Sequence, residues 1–565
     1  MNKQMIRGAA ACAMVAGLAL SSADAQIFQR EVGNENPEWA YSVDTTSDGG
    51  SVTAGYRRVP DRSFEFHIVK YKPDGETEWE VTFGGDREDI AYSVQETSDG
   101  GYIVAGESRS FEAGFEIVLL RLDSAGNQLW ANSYPGSSMV DPIHTPHPGV
   151  ALDQGDEDEI YVVGRLANTA GESRPIAFRT DAGGGLQWHA SYVAPPTTGD
   201  IADLAFTDVA YSFVDRSIVI SGTIRDEGPI FPDDPTGFFT TRQDATLLKV
   251  NADPDSAAGV PGGLPRWFNR YDSLFDRDSP NEPNVWETGD GLDIFNQGQI
   301  ILAGRTDLGI GGPGGSLRAT HLVHTDMMGM PFWSRDYEAF TADGVAASVE
   351  TAYAAIEFDR RVDAFVQAGR VVAGGPTSEH TQLTAIGGAP IWAWQYGDNE
   401  FRSFGESVQP DLEGCGYVYG GALFNPTPPP GQGASDISIV KNNDAGETGC
   451  LEQELFTEPV APLQPRPLQV FANFQDGQIE LPDLTEPMES PNTVFCLSDD
   501  CDVAPDPCNE ADLVPPFGVI DLDDINAFIL AYTLMLPPAD IAPPFGVWDL
   551  SDINAFITAF LDGCP

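Results

Sequence analysis

Lysine and arginine are scarce in this chain. Its 565 residues carry 30 Lys+Arg against 86 Asp+Glu, a formal net charge of −56, although only 21% of residues are charged. The acidity therefore comes from missing cations rather than from a surplus of charge. Such a surface repels phosphate backbones and anionic lipid, so no nucleic-acid partner is expected. Beyond the N-terminus no apolar run reaches membrane length, and no membrane span is expected. The sequence also lacks His-Glu-x-x-His, Gly-x-Ser-x-Gly and Walker motifs. Gly309-Ile-Gly-Gly-Pro-Gly314 spells a dinucleotide fingerprint, but no helix follows, so it reads as a hairpin loop. His321 and His324 would point to opposite faces of one strand, which argues against a shared metal; His144 and His147 are the other histidine pair. Asp153-Gln-Gly-Asp-Glu-Asp-Glu159 reads as a solvated loop. What is present is 41% hydrophobic residues, enough for a large core, with 59 Gly and 43 Pro that suit a turn-rich β architecture.

The first residues carry an export address. Lys3 and Arg7 precede the apolar stretch Ala9 to Leu20, and Ala23-Asp24-Ala25 forms a small-residue cleavage site. A signal peptide over 1–25, cleaved after Ala25, predicts a secreted, extracellular or cell-surface protein. After cleavage six cysteines remain: Cys415, Cys450, Cys496, Cys501, Cys508 and Cys564. In an exported chain they are disulfide candidates, and sequence leaves all 15 pairings open.

Self-similarity determines the expected fold. Trp39-Ala-Tyr-Ser-Val-Asp-Thr-Thr-Ser-Asp-Gly-Gly50 recurs as Ile90-Ala-Tyr-Ser-Val-Gln-Glu-Thr-Ser-Asp-Gly-Gly101. Each is followed by a β-rich run ending in glycine, Gly55 or Gly106, then by a turn and a tryptophan, Trp79 or Trp130. Looser copies end their β-rich runs at Gly164, Gly222, Gly304, Gly369 and Gly421 and lead to Trp188, Trp267, Trp333, Trp392 and Cys450. In the last copy the tryptophan is lost. Seven copies, each with about four short strands, predict an all-β fold: a seven-bladed β-propeller over 26–456. The glycine suits crowded backbone near a central channel. The tryptophan suits a wedge between blades. Either Ile27 to Gly33 or Leu451 to Phe456 could close the seventh blade.

From Thr457 the repeat stops and prolines gather, which predicts a Pro-rich linker with a short β segment over 457–504. The tail, 505–565, holds a second repeat. Ala511-Asp-Leu-Val-Pro-Pro-Phe-Gly-Val-Ile-Asp-Leu-Asp-Asp-Ile-Asn-Ala-Phe528 returns at Ala539 to Phe556, each copy a turn followed by an amphipathic helix. The helix faces are Ile525, Phe528, Ile529 and Tyr532, then Ile553, Phe556, Ile557 and Phe560.

The propeller repeats resemble those of bacterial secreted propellers and are similar to the quinoprotein dehydrogenase-like superfamily. No residues match that superfamily's cofactor site. The tail resembles a dockerin-type duplicated calcium loop-helix, in the Pro-Pro-Phe-Gly form found at the end of planctomycete exported proteins. That resemblance implies calcium at Asp512, Asp521 and Asp524 and at Asp540, Asp549 and Asp552. The chain departs from it at Val514, Pro516, Ala542 and Pro544, where middle ligands would stand. Asp521, Asp524, Asp549 and Asp552 also serve as helix caps and first-turn acids.

These features read first as an exported non-enzymatic binding or scaffold propeller. Its propeller would bind a protein or glycan, and its tail would engage a docking partner. The alternative is an extracellular polysaccharide-degrading enzyme on the same fold, which carboxylates converging in the central channel would favour.

Overall fold

The computed structural model describes residues 27–498, apart from stretches of the connections such as 136–150 and 273–286. In the tail it describes Ile525, Phe528, Tyr532 and the helix Leu550–Asp562. Residues 1–499 and 500–565 form two compact units.

The first unit is all β and has seven blades. Blade 1 is the antiparallel meander Glu38–Thr45, Ser51–Arg58, Phe64–Tyr71 and Thr77–Phe83. Blades 2 to 6 repeat this plan over 89–135, 151–193, 203–272, 291–341 and 346–396. Blade 7 takes three strands from 402–441, and its fourth is Ile27–Val32 from the other end of the chain. The N-terminal alternative for ring closure is therefore the one realised. The first strand of each blade lies against the first strands of both neighbours, so these seven strands surround the central channel.

Each blade is tied to the next by an aromatic residue of its fourth strand. The Trp79 indole donates to the Ser124 carbonyl (3.1 Å), Trp188 to Ala252 (2.8 Å), Trp333 to Ile386 (2.9 Å) and Trp392 to Asp444 (3.0 Å), each in the next blade's turn. A tyrosine four residues after each of the tryptophans 130, 188, 267, 333 and 392 adds a second tie. The hydroxyls of Tyr134, Tyr192, Tyr271, Tyr337 and Tyr396 donate to Gly184, Gly263, Gly329, Gly388 and Gly446. The wedge expected of the tryptophans is thus also a hydrogen-bonded clasp. Where blade 7 lacks its tryptophan, Phe28 packs on Gly75 of blade 1 and Arg30 donates to the Asp74 carbonyl (3.0 Å).

The repeated glycine has a specific cause. The first strand carries a one-residue β-bulge in blades 1, 2, 4 and 7, between residues 40 and 42, 91 and 93, 206 and 208, and 405 and 407, and blade 6 has a longer irregularity between 351 and 356. The backbone there presses a carbonyl onto the second strand. A Cβ on Gly55 would lie 1.8 Å from the Trp39 carbonyl oxygen, and one on Gly421 1.8 Å from that of Phe404. Only glycine tolerates that approach.

Hairpins between first and second and between third and fourth strands close in tight turns on one face, such as 46–50 and 72–76. A cation buried on the third strand braces this turn face. Lys70 pairs with Asp48 (2.9 Å), Lys249 with Asp215 (2.9 Å) and Lys441 with Asp411 (2.8 Å). The strand ends from which the second-to-third and blade-to-blade connections leave lie on the opposite face.

Where a Pro-rich linker with a short β segment is expected, six short strands between Glu452 and Ser498 form an outer belt that adds an outermost antiparallel strand to every blade. Glu452–Val460 pairs with blade 6 and then blade 5. Gln464–Pro467 pairs with blade 4, Phe471–Phe474 with blade 3, Ile479–Leu481 with blade 2 and Thr485–Pro487 with blade 1. Asn492–Ser498 finishes on Ile27–Val32 of blade 7. Pro459, Pro465 and Pro467, part of that proline cluster, sit on these strands. Having no N–H, they blunt an edge that could otherwise recruit a further strand.

In the second unit Phe528 stacks on Phe556 with ring centroids 4.0 Å apart, and Tyr532 and Phe560 flank them. Both stacked rings are buried, whereas Ile557, expected on the same apolar face, is 48% exposed. Asp552 lies on the helix; Asp512, Asp521, Asp524, Asp540 and Asp549 fall outside the described residues. So do the signal segment and Cys415, Cys450, Cys501, Cys508 and Cys564, while Cys496 lies on the last belt strand.

A chain ending at residue 451 should uncover an edge on every blade. The expected result is a lower melting temperature and concentration-dependent self-association in light scattering. An unchanged melt from a monodisperse truncation would show that the belt contributes nothing.

Candidate functional site at the channel mouth

Register places one side chain of each first strand at a common level of the channel. The set is Asp44, Gln95, Asp153, Ala210, Asp293, Glu357 and Gln409, each facing the second residue of its blade's glycine-ended run. Asp208 lies two residues before Ala210 on the same strand.

These groups bond from blade to blade. Asp44 accepts from the Glu96 amide (2.8 Å), Asp153 from Tyr211 (2.6 Å), Asp208 from Leu292 (2.9 Å) and Asp293 from Phe358 (2.9 Å). Gln95 donates to Asp153 (3.2 Å) and Gln409 to Glu357 (2.8 Å). Asp153 is therefore a channel group, not part of a solvated loop. Glu159, at the other end of that acidic run, is also buried and accepts from the Tyr161 hydroxyl (3.3 Å).

The carboxylates crowd one another. Burial, reinforced by repulsion from Asp153 and Asp293, pushes Asp208 up to about 7. Burial raises Asp293 and Glu357 as well, and Glu357 also feels Asp293, Asp208 and Asp44. Among the described residues no group of three or more His, Cys, Asp or Glu is arranged to hold a metal ion.

Above this ring, at the loop-face mouth, the side chains change character. The bulges of blades 1, 2 and 7 present Tyr41, Tyr92 and Glu406. The residue after the repeated glycine is Tyr56 in blade 1, Arg305 in blade 5 and Arg370 in blade 6. Tyr41 lies 5.2 Å from Tyr92, 5.9 Å from Tyr56 and 6.1 Å from Trp39, between ring centroids. Trp39 lies 5.0 Å from Phe404, and the Arg370 guanidinium stands 4.9 Å over the Phe404 ring. These aromatics and Arg370 are half-buried.

Arg370 donates to the buried Glu406 (2.5 Å), and Arg305 pairs with Asp290 (3.3 Å). Burial raises Glu406, opposed by Arg370. Burial, together with Tyr56 and Glu406, holds the Tyr41 hydroxyl well above the ordinary phenol range, against the pull of Arg370, so it stays a neutral donor.

Sequence reasoning missed this cluster. The signal was the tyrosine within Trp-Ala-Tyr-Ser-Val and Ile-Ala-Tyr-Ser-Val, which reads as ordinary strand alternation until the bulge re-aims it. His321 and His324 do diverge as expected, His321 bonding Asp336 (2.6 Å) and His324 bonding Gln299 (2.8 Å). Gly309 to Gly314, His144 and His147 fall outside the described residues.

No protein-family profile matches the chain, and no curated protein matches it. Among solved structures it is similar to an ulvan lyase of polysaccharide lyase family PL25. The TM-score is 0.44 at 10% identity, over 75% of this chain and 97% of that one. The same lyase bound to -[GlcA(1-4)Rha3S]- gives a TM-score of 0.42 at 10% identity, over 75% of this chain and 96% of that one.

The channel ring gives a signed pH dependence. Asp208 is raised to about 7, whereas an unfolded aspartate titrates near 4. The folded state therefore holds its proton more tightly. That stability is fully present below about pH 4 and is lost as pH rises through about 7. The melting temperature should fall between pH 5 and pH 8, and Asp208→Asn should flatten the fall. A melt that rises over this range in the parent chain contradicts the assignment.

Proposed function

We propose that the protein is an exported polysaccharide-degrading propeller, with its glycan lying across the loop-face mouth. The observation that carries this reading is the half-buried aromatic cluster of Trp39, Tyr41, Tyr56, Tyr92 and Phe404 beside Arg370 and Glu406. Aromatic faces suit the apolar faces of sugar rings, and the polar tips at their margin suit hydroxyls. Cleavage of a glycosidic bond needs a proton for the departing oxygen. Tyr41 stays protonated here and would donate its hydrogen bond to the departing oxygen, passing the proton over as the C–O bond breaks and recovering it from the water that adds to the sugar carbon. Arg370, paired with Glu406 and stacked over Phe404, would add a further flat face beside these rings.

Tyr41→Phe keeps the ring and removes the proton. Release of reducing ends from a panel of neutral and acidic polysaccharides should fall at least about a hundredfold, with binding by affinity electrophoresis preserved. Retention without cleavage by the parent chain would return the reading to a non-enzymatic glycan-binding propeller.

The tail is proposed as a docking module that calcium stabilises through Asp512, Asp521, Asp524, Asp540, Asp549 and Asp552. In the full chain, adding calcium after chelation should raise the melting transition of the tail and leave that of the propeller in place. Identical melts would leave those aspartates as helix caps.

A further inference from the structure

The mouth aromatics extend over three blades, with Tyr56 branching from Tyr41 at 5.9 Å. They form a file that passes from Tyr92 in blade 2 to Tyr41 and Trp39 in blade 1 and on to Phe404 in blade 7. The steps are 5.2, 6.1 and 5.0 Å between ring centroids. Successive ring planes are tilted by 39°, 34° and 32°. The Arg370 guanidinium of blade 6 continues the file 4.9 Å beyond, over Phe404. The spacing is close to the length of one sugar unit in an extended glycan.

We infer that this file is a ladder of subsites that binds at least three consecutive sugars of a linear polysaccharide rather than a free monosaccharide. The inference rests on the glycan reading above and adds the mode of binding. The file crosses the mouth from blade 2 to blade 6 with a ring or guanidinium at every step. Tyr41, second in the file, sits where sugars would be held on both sides of the bond.

The test is a length series. Manno-, cello-, xylo- and galacturono-oligosaccharides of one to six sugars are titrated into the full chain by calorimetry. Within the series that binds, affinity should rise about threefold to tenfold for each sugar up to three or four and then level off. Tyr92→Ala and Phe404→Ala, at two ends of the file, should each shorten the rise by one sugar, with unchanged melts confirming that the blades remain assembled. An affinity as high for one sugar as for five overturns the ladder and leaves the glycan reading standing. No binding in any series by folded protein overturns both.

Discussion

Each blade depends on the aromatic residue that it seats against the turn of the next. A four-stranded antiparallel sheet has two faces and cannot bury both alone, so the ring exists only if every blade covers its neighbour. The tryptophan supplies the apolar area. The tyrosine four residues later, or Phe83 in blade 1, follows on the same face of the strand. Each tyrosine hydroxyl then donates to a turn carbonyl of the next blade, and those of Gly184, Gly329 and Gly388 also accept from Asn132, Asn269 and Arg335. Because the contact is directional, blade to next blade, it must close on itself. Ile27–Val32 performs that closure, with Phe28 and Arg30 standing in for the tryptophan and tyrosine. The belt is the second lock. It finishes on the same N-terminal strand, so that strand is paired on both sides, to Phe28↔Lys441 and Phe28↔Leu497 at one point.

The bulge in the first strands links this architecture to the mouth. It drives a carbonyl onto the second strand, which is why the repeat must carry glycine there, and it turns the bulged side chain toward the channel. In blades 1 and 2 that side chain is tyrosine, and in blade 7 it is Glu406. One irregularity thus accounts for both the most repeated residue and the most variable one. A position that the fold must distort in any case is a low-cost place to vary chemistry.

The sequence made the blades legible because the glycine and tryptophan recur at nearly constant spacing, and each has one physical job. The N-terminal closing strand was readable as one of two options, since Ile27 to Gly33 resembles a fourth strand. The belt was not readable. Its central strands, such as Ile479–Leu481 and Thr485–Pro487, are too short to show alternation, and their partners lie hundreds of residues away in the chain. The channel ring was hidden for a different reason. Asp44, Asp153, Asp293 and Glu357 sit at equivalent positions, but Gln95, Ala210 and Gln409 interrupt the acidic pattern. Only paired register brings them to one level.

Charge distribution also bears on what the mouth can recognise. Many of the few cations are committed to turns, as Lys70, Lys249 and Lys441 are to Asp48, Asp215 and Asp411 on the face away from the loops. Arg370 and Arg305 stand at the mouth but are already paired with Glu406 and Asp290. The long-range field is therefore acidic, and it slows rather than steers the approach of a polyanion. At physiological ionic strength that field fades within about 8 Å, about the reach of a stacked ring and its first hydrogen bonds. Recognition at this mouth then rests on contact between faces. A file of aromatic rings provides such contact where electrostatic steering does not.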